Sequence, residues 1–258
     1  MANWIRQPGF VVVLTVIRSP PSISVESNSA QIGDLKSRAV ANKPTAKRPY
    51  DAQRRRERAE EERRATQSRV VKAARKLFLA KGYVATTMAE IAKEAGVALQ
   101  SVYSAGQSKA DLLHLVTDLA VAGDEQEVML LDRPGYAAIA DEPDPKRQVE
   151  LIAALTAATM ERLAPVWVAY REAAAVDAKA AANQVAAHQR RHETFAGMIA
   201  MLPEQRLRRS PAEATDSAWA IASIDVFLLL RLHQRWDAPQ YAEWIRRTLV
   251  DLLLTPES

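Results

Sequence analysis

The stretch TTMAEIAKEAGVALQSVYSAGQSKADLL, Thr86 to Leu113, contains three short helical patterns in fewer than thirty residues. Thr87 followed by Glu90, and Ser108 followed by Asp111, are capping-box signatures, in which a hydroxyl and an acidic side chain three residues later satisfy free amides at a helix start. A single glycine, Gly96, separates the first two patterns. Two short helices joined at a glycine match the helix-turn-helix, whose second helix lies in the major groove of DNA.

Helices of about two turns are not stable alone, so they require packing from longer helices on each side. The apolar positions before the stretch recur with a helical period and stop at Gly82: Val70, Val71, Ala74, Leu77 and Phe78. Those that follow Ser108 predict a longer fourth helix: Leu112, Leu113, Val116, Leu119 and Ala120. A three-helix bundle without a ligand has the same spacing, so the pattern alone leaves both interpretations open.

The remainder of the chain predicts an all-α fold, because no strand alternation is present after residue 60. Apolar spacing predicts four further helices: Val149 to Tyr170, Ala173 to about Met201, Ala212 to Gln234, and Pro239 to Leu254. The chain is therefore expected to divide into an arm, a DNA-binding domain and a C-terminal domain. Their expected limits are 1–60 for a disordered basic arm, 64–124 for the helix-turn-helix domain with its motif at 87–106, and 125–258 for a helical ligand-binding and dimerisation domain.

Composition restricts the function classes. The 258 residues include no cysteine, which excludes disulfides and thiolate metal sites and favours a cytoplasmic protein. The longest apolar runs are far shorter than the ~18 residues that a membrane span needs, so no membrane association is expected. Charge is segregated: 36–81 holds 16 Lys and Arg against 5 Asp and Glu, whereas 82–258 holds 17 against 24. A basic front on an acidic body favours a polyanionic partner for the front.

The segment 69–113 resembles the DNA-binding domain of the tetracycline-repressor-like (TetR) transcriptional regulators. The resemblance rests on A-x-x-L-F-x-x-K-G-Y-x-x-T-T at the end of the first helix, I-A-x-x-A-G-V around the turn, V-Y in the recognition helix and S-K-x-x-L-L at the start of the fourth helix. It implies a sequence-specific regulator of transcription, expected to be a repressor that a small-molecule effector releases. Two departures are Ala98, where the family often has Ser or Thr, and Gly106, where it often has an aromatic residue; we expect Gly106 to end the helix in the left-handed conformation.

The resemblance also implies roles for individual residues at the DNA. Thr87 and Lys109 are expected at helix N-termini that face the phosphate backbone. Tyr103 is expected to contact a phosphate through its hydroxyl, with core packing of its ring as the alternative. Gln100 is the expected base reader, since an amide can bond adenine N6 and N7 together, and Ala98 and Leu99 offer apolar contact to a thymine methyl. The run Arg54 to Arg58 either adds contacts as a flexible arm or is a solvated tail.

By the same resemblance, the partners are a palindromic double-stranded operator, an unidentified effector and a second copy of the chain. The homodimer is expected through the last two helices, with intramolecular core as the alternative. Candidate effector contacts lie on the middle helices: Arg162, Trp167, Tyr170, Arg171, His188, Phe195 and Asp225.

No cofactor, metal or catalytic site is expected. His188 and His192 have a metal-capable spacing but no third ligand near them in sequence. The sequence has no phosphate-binding glycine loop and no nucleophile motif, so an enzyme is not expected. The alternative function is a ligand-independent DNA-binding or protein-interaction module, which would bind arbitrary DNA without a dyad operator.

Overall fold

The structure is a computed structural model that describes residues 49–124 and 130–256. Within these ranges every named element is helical, which confirms the all-α prediction. The helix-turn-helix and the C-terminal helices lie in one compact unit, Glu57–Ser258. The helices are α1 (Pro49–Lys81), α2 (Met88–Ala95), α3 (Leu99–Ala105), α4 (Lys109–Ala122), α5 (Pro134–Asp141), α6 (Pro145–Val176), α7 (Ala178–Ile199), α8 (Pro211–Ile221), α9 (Ile224–Leu228) and α10 (Ala238–Leu253).

Helix α1 begins earlier than the sequence predicts, since the arm was expected to be disordered through residue 60. Its first half has no apolar stripe, but Arg, Glu and Ala are strong helix formers and form pairs three and four residues apart. The Glu60 carboxylate accepts hydrogen bonds from Arg63, at 2.6 Å, and from Arg64, at 3.3 Å, and the Arg63 guanidinium lowers the Glu60 pKa. Arg54 to Arg58 therefore lie on a helix rather than on a flexible arm. The expectation for residues 1–48 lies outside the described residues.

The four helices of the predicted DNA-binding domain share one core. Val70, Ile91, Val102 and Leu113 are fully buried, one from each helix. This confirms that α1 and α4 supply the packing that the two short helices require.

The two glycines that end the short helices have different reasons to be glycine. Gly96 ends α2 with a positive φ of 65°, as a left-handed cap. Gly106 was predicted to do the same for α3, and this is wrong: its φ of −152° is extended backbone. A Cβ on Gly106 would lie 2.5 Å from Leu112 Cδ2, so a close approach between α3 and α4 explains that glycine.

In the C-terminal domain α6 is the central helix, packed against α4, α5, α7 and α10. Among the described residues it is also the one helix long and apolar enough to cross a membrane, because it is rich in alanine. Of the most apolar 18-residue stretch of α6, 44% is buried inside the protein. The core helix of a globular domain can be equally long and apolar, so length and composition alone do not identify a membrane span. Glu161 and Arg162 interrupt its apolar residues, so α6 contains no long uninterrupted apolar run.

Two C-terminal elements differ from the prediction. Helix α5 was not predicted, and the single helix expected from Ala212 to Gln234 is interrupted after Ile221. Ser223 starts a new helix there, since its Oγ accepts a hydrogen bond from the Val226 amide at 3.2 Å, and a π-helical turn, Leu229–His233, follows α9. The dense apolar residues on both sides of Ser223 hid this break, because they have no gap in period to mark it.

Helix α10 uses its apolar stripe inside its own chain. Tyr241, Ile245 and Leu249 are fully buried against the core. For these residues the alternative of intramolecular core is therefore correct, and they cannot face a second copy. The apolar side chains left at the surface of this region are Leu229, 55% exposed, and Leu232, 61% exposed, both on the π-helical turn.

Candidate nucleic-acid interface

The start of α2 is fixed by the capping box that the sequence predicts. Thr87 Oγ1 accepts a hydrogen bond from the Glu90 amide at 3.2 Å, and the Thr87 amide donates to Glu90 Oε2 at 2.9 Å. Lys81 also pairs with Glu90, and this contact, followed by the Thr87 hydrogen bonds, lowers the Glu90 pKa to about 2. Glu90 is therefore ionised at neutral pH, and Thr87 is held at the surface at the N-terminus of α2.

Helix α3 buries one side and exposes the side on which the sequence placed its reading residues. Val102 is fully buried, whereas Leu99 is 44% and Tyr103 is 43% exposed, and Ala98 and Gln100 are exposed beside them. Exposure of Tyr103 argues against the alternative that its ring belongs to the core. Ala98 makes no side-chain cap, as expected from the missing hydroxyl.

The same face includes Ser104, which the sequence interpretation missed. Ser104 is exposed, and its Oγ donates a hydrogen bond to the Gln100 carbonyl at 3.0 Å. Its position four residues after Gln100 was the signal available in the sequence. The helix Leu99–Ala105 contains no charged residue, so phosphate contacts made by cations have to come from neighbouring elements.

Lys109 is placed differently from the expectation that it faces a phosphate. Its Nζ donates hydrogen bonds to the carbonyl oxygens of Tyr83 at 2.9 Å and Thr86 at 3.0 Å, and lies 3.5 Å from that of Val84. The ammonium also lies 4.2 Å from the centre of the Tyr83 ring. The three N–H groups of Lys109 are thus directed at the turn between α1 and α2, residues 82–87, which we call the α1–α2 turn.

The C-terminal domain contacts the same turn through two carboxylates. Glu172, on α6, accepts hydrogen bonds from the Tyr83 amide at 2.7 Å and the Val84 amide at 3.3 Å. Asp177, between α6 and α7, accepts one from the Tyr83 hydroxyl at 2.6 Å, and this bond lowers the Asp177 pKa. These partners are about ninety residues apart in sequence, so no local pattern indicates them.

An ion pair also joins α7 to α4 nearby. Lys179 Nζ, at the start of α7, lies 2.7 Å from Asp111 Oδ2 on α4. Burial acts to raise the Asp111 pKa, but the hydrogen bonds from Lys179 and Ser108 outweigh it and the pKa is lowered.

Comparisons with known proteins agree with this geometry. Residues 70–116 match the family model described as bacterial regulatory proteins, tetR family. These residues therefore form a DNA-binding domain of the tetR type. The matched segment contains α2 and α3 complete, the last third of α1 and the first half of α4. No curated protein matches the chain in sequence.

Solved structures show the same fold over most of the chain. One is NalD, the secondary repressor of the MexAB-OprM multidrug efflux pump in Pseudomonas aeruginosa, at 20% identity and TM-score 0.55 over 76% of this chain and all of NalD. Another is a protein from Saccharomonospora viridis, described as a transcriptional regulator and solved with choline, at 15% identity and TM-score 0.56 over 74% of this chain and 98% of that one. A TetR-family regulator from Mesorhizobium loti aligns at 16% identity and TM-score 0.55 over 74% and 97%.

The candidate effector residues are only partly brought together. Trp167 stacks on Tyr170 with ring centres 5.5 Å apart, and His188 lies edge-on to Trp167 at 5.6 Å. Trp219 of α8, which the sequence interpretation missed, is edge-on to His188 at 6.5 Å. We call Trp167, Tyr170, His188 and Trp219 the aromatic cluster. Burial, and then Arg191, lowers the His188 pKa, while burial raises the Tyr170 pKa to about 12.

The other candidates have different surroundings. Arg162 donates hydrogen bonds to the Ala120 and Val121 carbonyls at 2.9 and 3.1 Å, so it caps the end of α4. Arg171 and Asp225 are exposed. Phe195 is buried, with the Arg191 guanidinium 5.7 Å from its ring centre.

Metal ligands do not converge in the described part of the chain. His192 Nε2 lies 2.7 Å from Asp216 Oδ1. Within the described residues no group of three or more histidine or acidic side chains could hold an ion.

Several buried polar atoms around the aromatic cluster have no hydrogen-bond partner among the described residues. They are Trp167 Nε1, Tyr170 Oη, Trp219 Nε1 and His114 Nδ1. Near them Asp118 pairs with His114 at 3.4 Å and Arg190 at 3.8 Å, and burial raises the Asp118 pKa. An unsatisfied buried polar group costs ~1–3 kcal/mol, so this concentration marks a region that a polar ligand could stabilise.

Proposed function

We propose that the chain is a sequence-specific transcriptional repressor that binds a palindromic operator as a homodimer and is released by a small-molecule effector. The observation that carries the proposal is the exposed face of α3, where Leu99, Gln100 and Tyr103 project from a helix anchored by the buried Val102. A helix held in this way can enter the major groove without losing its own packing.

Each residue of that face has a proposed task. The Gln100 amide bonds an adenine edge, which presents one acceptor and one donor in the major groove. Ala98 and Leu99 contact thymine methyl groups, and Tyr103 and Thr87 contact phosphates. Lys109 stabilises this surface indirectly, because its ammonium binds carbonyl oxygens of the α1–α2 turn, which precedes α2.

The homodimer is proposed to bury the exposed leucines of the π-helical turn. Leu229 and Leu232 are large apolar side chains that a monomer leaves in water, whereas the apolar stripe of α10 is already covered. A two-fold axis relating the two chains would present one α3 helix to each half-site of a palindromic operator.

The effector is proposed to bind at the aromatic cluster. Stacked rings supply an apolar surface, and the unpartnered atoms of Trp167, Tyr170 and Trp219 supply hydrogen-bonding groups beside it. Arg162, Arg171, Phe195 and Asp225 are retained as secondary candidates at this site. Because its operator would be chromosomal, the protein is placed in the cytoplasm.

The proposal is tested by selecting fragments from a random duplex library with the purified protein and sequencing those retained. The expected result is an enriched inverted repeat, bound by two chains per site in light scattering. Retention without any shared sequence would support the ligand-independent module instead. Retention of no duplex at low salt would contradict both.

A further inference from the structure

Glu172 makes a contact that neither the DNA face nor the aromatic cluster explains. It lies near the C-terminal end of α6, yet its two carboxylate oxygens accept hydrogen bonds from the backbone of the α1–α2 turn, at the amides of Tyr83 and Val84. The bond to Tyr83, at 2.7 Å, is short for an amide donor, as is typical when the acceptor is charged.

The turn is shaped to receive this carboxylate. Gly82 ends α1 with a positive φ of 80°, and a Cβ at this position would lie 2.6 Å from Glu172 Oε2. Residues that carry a side chain rarely adopt this backbone conformation, and a side chain at position 82 would also displace the Glu172 carboxylate. The glycine of the K-G-Y motif therefore allows both the backbone reversal and the close approach of α6.

Two further contacts hold the turn from other directions. The Lys109 ammonium binds the carbonyl oxygens of Tyr83 and Thr86, and the Tyr83 hydroxyl donates to Asp177. A negative group on the amides and a positive group on the carbonyls fix the peptide planes of the same turn. Helix α2 begins immediately after it, at Met88, so the position of the turn fixes the start of the helix-turn-helix.

We propose that Glu172 is a positioning residue for DNA binding: its carboxylate, carried by the C-terminal domain, holds the α1–α2 turn and thereby sets the orientation of the helix-turn-helix on DNA. The inference rests on the proposed function. A dimer that reads two half-sites needs both recognition helices at a fixed separation, so a loosened turn lowers affinity for the operator more than affinity for unrelated duplex. Movement at the end of α6 would reach the DNA through this contact.

The test compares Glu172→Gln with the matched control Glu193→Gln in the full chain. Gln keeps one acceptor oxygen but directs an NH₂ group at the second amide. Glu193 is an exposed carboxylate on α7 for which the structure describes no hydrogen bond or ion pair. Both variants are titrated against the selected operator and a scrambled duplex, and amide hydrogen exchange is measured by mass spectrometry.

Glu172→Gln is expected to weaken operator binding on the order of ten-fold, within the usual range of coupling between sites, with a smaller change on scrambled DNA. Exchange is expected to rise in 82–87 and α2 and to stay unchanged in α10, whereas a general loss of stability would raise it in all three. Tyr83→Phe, which removes only the hydroxyl bond to Asp177, is expected to act in the same direction with a smaller effect.

Three results would overturn the inference. Operator affinity of Glu172→Gln equal to that of Glu193→Gln would remove the positioning role while leaving the proposed function intact. Faster exchange throughout the chain would make Glu172 a residue of general stability. If the unmutated chain binds no duplex, the proposed function and this inference fail together.

Discussion

The helix-turn-helix and the aromatic cluster differ in whether their polar groups have hydrogen-bond partners. Around the α1–α2 turn, Thr87, Glu90 and Lys109 all have partners at hydrogen-bond distance. In the aromatic cluster, Tyr170 and Trp167 are buried, but Tyr170 Oη and Trp167 Nε1 have no partner among the described residues. Satisfied groups hold one geometry, whereas unsatisfied groups cost free energy that a ligand can recover.

This difference suggests separate roles for the two regions, DNA recognition for the first and ligand binding for the second. Caps and ion pairs fix the start of α2, whereas the unpartnered polar atoms of the aromatic cluster lie in the C-terminal domain. The two are joined where Glu172 and Asp177 of the C-terminal domain hold the α1–α2 turn. Changes in the C-terminal core should therefore alter stability most, and changes at the DNA surface should alter recognition with little effect on folding.

The largest effect is expected for Leu249→Ala, which removes a fully buried side chain from the core face of α10. Such truncations cost ~2–5 kcal/mol, because apolar contacts are lost and a cavity remains. The control Val185→Ala, on α7, shortens a side chain that is 60% exposed and lies outside the proposed dimer contact, and it should change the free energy of unfolding by less than ~0.5 kcal/mol. Chemical denaturation measures both. If Leu249→Ala dissociated a dimer without destabilising the chain, Leu249 would lie at a subunit interface instead.

An intermediate effect separates the two glycines of the helix-turn-helix. Gly106→Ala would place a Cβ 2.5 Å from Leu112 Cδ2, and overpacking of this kind costs ~1–3 kcal/mol. Gly96→Ala meets no atom within 4 Å, so its cost is only that of a left-handed non-glycine residue, ~1 kcal/mol. Denaturation of both variants should rank Gly106→Ala as the less stable. The reverse order would mean that α4 yields to the new methyl group.

A smaller effect is expected from pH. Burial lowers the His188 pKa below its usual 6.5, so the unfolded chain takes up this proton first as the pH falls. The contribution of His188 to stability is therefore complete above pH ~6.5 and is lost as the pH falls through the folded pKa. Because the side chain is only partly buried, solvent screening should keep this contribution below ~1 kcal/mol. The pKa values of Asp177 and Asp111 are also lowered, but from 3.8, so their contributions persist until about pH 4.

The measurement is the free energy of unfolding at pH 7.5 and 5.5 for the unmutated protein, His188→Gln and His233→Gln, the last altering an exposed histidine. His188→Gln should lose less stability between the two pH values than the other two proteins. Equal losses in all three would show that the protonation of His188 does not differ between folded and unfolded chains.

The sequence predicted the DNA-binding domain better than the rest because that domain is governed by local rules. Each of its signals acts over a few residues: Thr87 caps α2, Gly96 ends α2, and the stripe of α1 recurs every three or four residues. Lys109 and Glu172 instead find their partners in distant segments of the chain. Periodicity contains no information about such contacts. The break at Ser223 is capped locally, but the apolar residues on both sides of it hide it from a test of periodicity.

The candidate site was predictable to a corresponding degree. Exposure of Gln100 and Tyr103 follows from the period of a helix whose Val102 is buried. The charge of Lys109 suggested a phosphate partner, although backbone carbonyls satisfy an ammonium equally well. In the C-terminal domain, residue type alone could not separate Arg162, which caps α4, from Trp167, which joins a cluster.

If the exposed face of α3 reads bases, operator binding depends on the Gln100 amide. Gln100→Ala and the control Gln189→Ala, an exposed glutamine on α7, are titrated against the selected operator and a scrambled duplex at two salt concentrations. Gln100→Ala is expected to lose ~1–3 kcal/mol of binding free energy per half-site on the operator and very little on scrambled DNA, whereas Gln189→Ala should match the unmutated protein. Equal weakening of both duplexes by Gln100→Ala, or no weakening of either, would contradict base reading by this face of α3.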